Sequence, residues 1–192
     1  MTAFDSELGR YVARISQFDR KDWLVYCGWV GLMLGLTAST LAFVAFAHQV
    51  SAPVPGYAWM VPVGAAIFAG AIAVDTIGHR TIYKAALGRA EGLVHQLTIF
   101  CGIGSCVLLC AAYPYPDLFF IPGSVLMVLS FVYSLVDEVF HWHRYWTQQS
   151  DPVEMWSHLF ILIGHGTMMA AWWAWAYGGY VGVAEVVAAA AM

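Results

Sequence analysis

Charge is what this sequence has least of. Only 10% of its residues are Asp, Glu, Lys or Arg, and the net charge is −4. Beyond Arg20-Lys21 there is no basic tract, which excludes the electrostatic footprint of a nucleic-acid binder. Cysteine is equally sparse in pattern. Cys27, Cys101, Cys106 and Cys110 all fall in apolar stretches without C-x2-C spacing, so neither a disulfide framework nor a zinc knuckle is implied. They read as small core or lipid-facing residues. No G-x-S-x-G, P-loop or G-x-G-x-x-G context occurs, and Gly102 and Gly104 read as helix-packing glycines. Nucleotide and serine-hydrolase chemistry are thereby set aside.

What remains is apolar surface. Hydrophobic residues make up 61% of the chain, and the mean hydropathy is +0.69, values that belong to a bilayer rather than to water. From Trp23 to Ala47 no charge occurs, a run long enough to cross roughly 30 Å of hydrocarbon at about 1.5 Å per residue. Further spans are predicted at about 58–79, 91–112, 119–141 and 153–177. They are separated by the Pro53/Pro55/Gly56 loop, a connection holding Arg80, Lys84, Gly88 and Arg89, the Pro114/Pro116 turn and a polar stretch from Arg144 to Asp151. Residues 1–22 mix acids with bases, and Phe4, Leu8, Val12, Ile15 and Phe18 recur at helical spacing. That segment is expected to be an amphipathic helix on the membrane surface rather than a signal peptide. Trp172, Trp173, Trp175 and Tyr177 read as an interfacial aromatic belt. The short apolar tail 178–192 has no predicted place.

The predicted fold is therefore all-α: five transmembrane helices within 23–177. Four of them form a bundle of two repeated helical hairpins, 58–112 and 119–177. Every Lys and Arg lies at the N-terminus or in the two connections near residues 80–89 and 144. By the positive-inside rule that end is cytoplasmic, and the expected location is the inner or cell membrane of a prokaryote.

The informative feature is a doubled pattern inside these apolar helices. Asp75 and His79 stand one helical turn apart and are followed by Glu91 and His95 at the same spacing; then come Asp137 and His141, followed by Glu154 and His158. Residues four apart share a helix face, so each pair presents a carboxylate and an imidazole together, at the same end of the bundle. Bundle metal sites are built in this way, and mixed nitrogen and oxygen donors suit copper, iron, manganese or zinc. Structural roles compete with ligation. Asp151-Pro152-Val153-Glu154 reads as an N-cap, an N1 proline and a capping-box acid, and Glu91 also sits in a first turn, where the helix dipole favours an acid. Asp75 and Asp137 lie near helix C-termini, where the dipole disfavours a carboxylate, so a cation must stabilise them: a metal, or Arg80 or Arg144. His143 and His165 are reserve ligands or donors behind the ligands. Glu138, adjacent to Asp137, is expected to point elsewhere.

With these residues in view, the second half of the chain resembles the C subunit of the copper membrane monooxygenases, the particulate methane and ammonia monooxygenases. Val74-Asp75-Thr76-Ile77-Gly78-His79-Arg80 with downstream His95 looks like that family's first membrane copper motif. Asp137-Glu138-Val139-Phe140-His141, Trp142 and Trp146, then Pro152 and His158 look like the second. The resemblance covers roughly residues 70–175 and implies copper ligation by Asp75, His79 and His95 and by Asp137, His141 and His158. Asp137 stands where the family has Asn, and Glu91 and Glu154 have no family counterpart.

The implied function is a membrane metal-binding subunit that works with other subunits among membrane lipids and oxidises a small apolar substrate with dioxygen. Two alternatives accompany it. One is a di-iron hydroxylase or desaturase acting on lipid chains, with iron, or zinc, in place of copper. The other is a non-catalytic subunit of a membrane complex that binds haem or chlorin through its histidines or only packs.

Overall fold

The computed structural model describes residues 3–84, 89–148 and 151–192, with side chains from Glu7 onward and excluding Gln148. Gly88 of the predicted connection, the Phe4 side chain and residues 149–150 lie outside the described residues. All regular structure among the described residues is helical: α1 (Ala3–Ala13), α2 (Arg20–Gln49), α3 (Met60–Thr81), α4 (Arg89–Ala111), α5 (Pro116–Gln148), α6 (Pro152–Tyr177) and α7 (Val183–Ala190), with single 3-10 turns at Arg14–Gln17 and Gly56–Trp59. Among them are five helices, α2 to α6, long and apolar enough to cross a membrane.

Helix starts follow local chemistry. Asp19 accepts from the backbone N–H of Lys21 (2.7 Å) and Asp22 (2.9 Å), and Asp22 accepts in return from the Asp19 N–H (3.1 Å), a complete capping box at the head of α2. Asp151 caps α6 by accepting from Val153 N–H at 3.0 Å, with Pro152 at the first helical position.

Of the two expected hairpins, 119–177 packs as a pair through α5 and α6, whereas 58–112 does not. Across the bundle the order of neighbours is α2, α3, α6, α5, α4, so that α3 packs along α6, α4 along α5, and the successive helices α3 and α4 do not pair. The reason lies in the sequence of α3 and α6. Gly64 and Gly164 face each other, and a Cβ on Gly64 would strike the backbone of Met168, while one on Gly164 would strike the backbone of Phe68. Ala65, Ala69 and Met168 are buried on the same seam. Between apolar helices in lipid, such small-residue contacts supply the dispersion energy that holds a pair together. Gly104 does pack as expected, against Leu126, whereas a Cβ on Gly102 would meet nothing.

At the far end from the Asp/His pairs the tail folds back. Tyr180, at positive φ between the turn glycines Gly179 and Gly182, accepts from Trp172 Nε1 (3.1 Å) and donates to the Leu109 carbonyl (2.5 Å). Trp175 Nε1 donates to the Val181 carbonyl at 3.0 Å. Trp172 and Trp175 are therefore core residues beneath the tail rather than a belt, and only Tyr177 of that group is well exposed. The four cysteines are free, with Cys101 buried, Cys106 half-buried and Cys27 and Cys110 exposed.

At the other end α1 is turned onto protein. Tyr11 is buried with Ile77 and Val153, flanked by Leu8, Ile15 and Phe18, so the inward stripe is centred on Tyr11 and Val12 faces out. The ends of α2 and α3 are tied by charge. Arg80 Nε reaches Asp22 Oδ1 at 2.7 Å, and Lys84 Nζ lies 2.9 Å from Asp22 and 3.1 Å from Asp19.

Candidate metal centre

The C-terminal turns of α3 and α5 and the first turns of α4 and α6 meet at one end of the bundle, with α1 packed against its α3 and α6 side. His141 is central. Its ring Nδ1 is 3.0 Å from Glu154 Oε1, and its Nε2 lies 3.8 Å from Asp137 Oδ2 and 4.0 Å from Glu91 Oε1. The His158 ring stacks on it with centroids 3.4 Å apart. His158 Nε2 is 3.1 Å from Asp75 Oδ1, and its Nδ1 is 3.5 Å from Glu138 Oε1. His79 lies 3.4 Å from Asp75 Oδ2. His95 closes the group with its ring 5.3 Å from that of His79 and Nδ1 3.3 Å from Asp137 Oδ2. All six residues singled out as ligands, Asp75, His79, His95, Asp137, His141 and His158, thus come together in one cluster rather than one set per hairpin.

The structure separates the remaining candidates. Glu91 and Glu154 both pair with Arg144, Glu154 at 3.3 Å and Glu91 still closer, and Glu154 also meets His141. Glu154 is 1% exposed, and both glutamates are outer partners at the rim of the cluster. Glu138, expected to point elsewhere, turns to His158. Consecutive residues on a helix lie about 100° apart, and α5 sits between two neighbours, so Asp137 faces α4 and Glu138 faces α6. His143 is exposed and stands outside the cluster. His165 is buried but separate, stacked between Phe68 and Phe131 with Nε2 3.4 Å from the Ser130 hydroxyl. Sequence reasoning weighed Arg144 as a partner for an aspartate and did not weigh Tyr83, whose ring lies under the Arg144 guanidinium at 4.9 Å. Burial first, and then Glu154, raise the Tyr83 phenol above its ordinary range. An aromatic in a charged connection carries no periodic signal that would have revealed it.

Two observations define what the cluster does chemically. First, among the described residues five carboxylates (Asp75, Glu91, Asp137, Glu138, Glu154) gather here; Arg144 pairs with Glu91 and Glu154, the other three face imidazoles, and Arg80 is engaged by Asp22. Such an excess of negative charge in a low-dielectric setting calls for cations. Second, one ring nitrogen from each of His79, His141 and His158 lies within 4.8 Å of the others, and among the described residues the Nε2 atoms of all three, with Asp75 Oδ1 and Asp137 Oδ1, are buried without a well-directed hydrogen bond, although Asp75 lies near both His79 and His158. Buried polar atoms are ordinarily satisfied. The Nδ1 contact from His141 to Glu154 directs that ring's other lone pair inward, the carboxylate–imidazole arrangement that orients metal ligands. An ion with bonds of about 2.0–2.1 Å needs only a small inward movement of three rings.

The fold and cluster define a protein with five helices fit to span a membrane and a buried histidine–carboxylate centre at one end. Comparison with known protein families, with curated proteins and with solved structures yields no match.

Proposed function

We propose that this chain is a membrane metalloprotein that binds a transition-metal ion at His79, His141 and His158, with Asp75 as a fourth donor and His95 and Asp137 beside them. The observation that carries the reading is the convergence of one ring nitrogen each from His79, His141 and His158 to within 4.8 Å of one another, amid buried carboxylates. Because Glu91 and Glu154 are committed to Arg144, the donors left for a metal are mainly imidazoles. That set favours copper, with iron or zinc following, over a carboxylate-rich di-iron site.

With the resemblance to the copper membrane monooxygenase C subunit, this supports a role as a metal-binding subunit of a larger membrane assembly that oxidises a small apolar substrate with dioxygen. The metal, when bound, supplies oxygen activation; the chain's own residues supply donors, the oriented ring of His141 and an apolar surround. By its basic residues the centre belongs to the cytoplasmic side of a prokaryotic cell membrane.

Elemental analysis of the detergent-solubilised protein tests the reading. Stoichiometric copper or iron, lost together in the Asp75→Ala and His141→Ala variants, is expected. Absence of bound metal, or metal content unchanged in both variants, refutes it, and a haem or chlorin absorption band would instead favour a pigment- or haem-binding subunit.

A further inference from the structure

The residue with the least explained position at this end is Tyr11. It is 1% exposed, yet its hydroxyl has no hydrogen-bond partner among the described residues. An unsatisfied buried hydroxyl is destabilising, and Phe would fill the same space without that penalty. The hydroxyl occupies a slot that the sequence keeps open: a Cβ on Gly78 would coincide with it, and the Tyr83 ring borders the same slot. Gly78 lies between Ile77 and His79 and one turn beyond Asp75, so the slot lies on the same turn of α3 as two members of the cluster. Asp75 and Glu154 are the charges that act on the phenol most strongly. Together with burial, which acts first, they raise it above its ordinary range.

We propose that the Tyr11 hydroxyl donates a hydrogen bond to a small exogenous ligand, a water, hydroxide or small anion, held by the metal ion at the His79/His141/His158 centre. The inference rests on the metal reading above. α1 then contributes a donor to the centre as well as packing against its α3 and α6 side, and Tyr11 is a positioning residue for the ligand rather than a metal ligand. A purely structural role makes the opposite prediction, because no protein group among the described residues bonds this hydroxyl: Tyr11→Phe would be neutral or stabilising and would change nothing at the centre.

The test uses the full-length protein in detergent, loaded with copper(II) and titrated with azide, with the charge-transfer band followed. Copper stoichiometry is measured first, and if the wild-type protein holds none, the metal reading and this inference fall together. With copper bound, Tyr11→Phe is expected to retain full stoichiometry and an equal or higher melting temperature, and to weaken azide binding about tenfold, the order expected for one hydrogen bond to a charged acceptor. Unchanged azide affinity in copper-loaded Tyr11→Phe overturns this inference and leaves the metal reading intact. Gly78→Ala, whose methyl group displaces the hydroxyl from its slot, provides the second reading if Tyr11→Phe does not fold. Weaker azide binding supports the proposal, and wild-type affinity overturns it.

Discussion

At the scale of single residues, the division of labour among acids follows from what each one touches. Glu154 receives the Nδ1 side of His141 and the Arg144 guanidinium, so it fixes a ligand's orientation without being freed to bind metal. Glu154→Gln should therefore leave one metal per chain but weaken its affinity by about 10–100-fold, measured by competition with a chelator; His141→Ala should abolish stoichiometric binding. The pairs at one-turn spacing were legible in the sequence because helical period alone puts Asp and His on one face. The roles of the glutamates were not, since a first-turn acid satisfies the helix dipole and an inward partner equally well. Only the position of Arg144 across three helices decides between them. Of the expected N-cap and capping-box acid only the cap forms: Asp151 accepts from the Val153 N–H, whereas the Glu154 side chain turns inward to His141 and Arg144.

At the scale of elements, the close contact of α3 and α6 holds two sides of the centre together. Gly64→Leu should destabilise the detergent-solubilised protein by about 1–3 kcal/mol through overpacking against the Met168 backbone. It should also lower metal content, although the residue lies several turns from the nearest histidine of the centre, His79; a melting curve and metal analysis on the same sample check both. Span positions were readable from hydropathy, whereas partner choice was not, because two glycines a hundred residues apart carry no mark of facing each other. The knot between α2 and α3 gives a pH signature. Hydrogen bonds to Asp22 and Asp19 hold the Lys84 ammonium above its ordinary range. The stability it contributes is fully present below its unfolded pKa of about 10.4 and is lost as pH rises through the higher folded value. Asp19, lowered by the Asp22 backbone N–H and then by Lys84, acts in the opposite sense: its contribution is present above its unfolded pKa of about 3.9 and lost as pH falls through the folded value. Lys84→Met should flatten the alkaline limb of the melting-temperature profile. The effect is small, because both side chains are largely exposed and screened.

At the scale of the whole molecule, the outer faces of α2, α4 and α5 are apolar and exposed, with Leu24, Leu32, Leu34, Phe100, Val107, Ile121 and Val139 among the outward residues. Surfaces of this kind fit lipid or neighbouring subunits. The positive-inside assignment predicts that a Cys introduced at Lys84 is labelled in intact cells only after permeabilisation, and one introduced at His48 without it; the reverse pattern would place the centre on the outer side. The exchange of partners between α3 and α6 also sets a timetable for biosynthesis. His79 emerges early and His158 late, with α4 and α5 synthesised between them. A nascent chain that has inserted four spans holds Asp75, His79, His95, Asp137 and His141 but lacks the helix that seats His158 and orients His141. On the metal reading, the full donor set exists only once α6 has been made, so a chain truncated after α5 is expected to hold no stoichiometric metal.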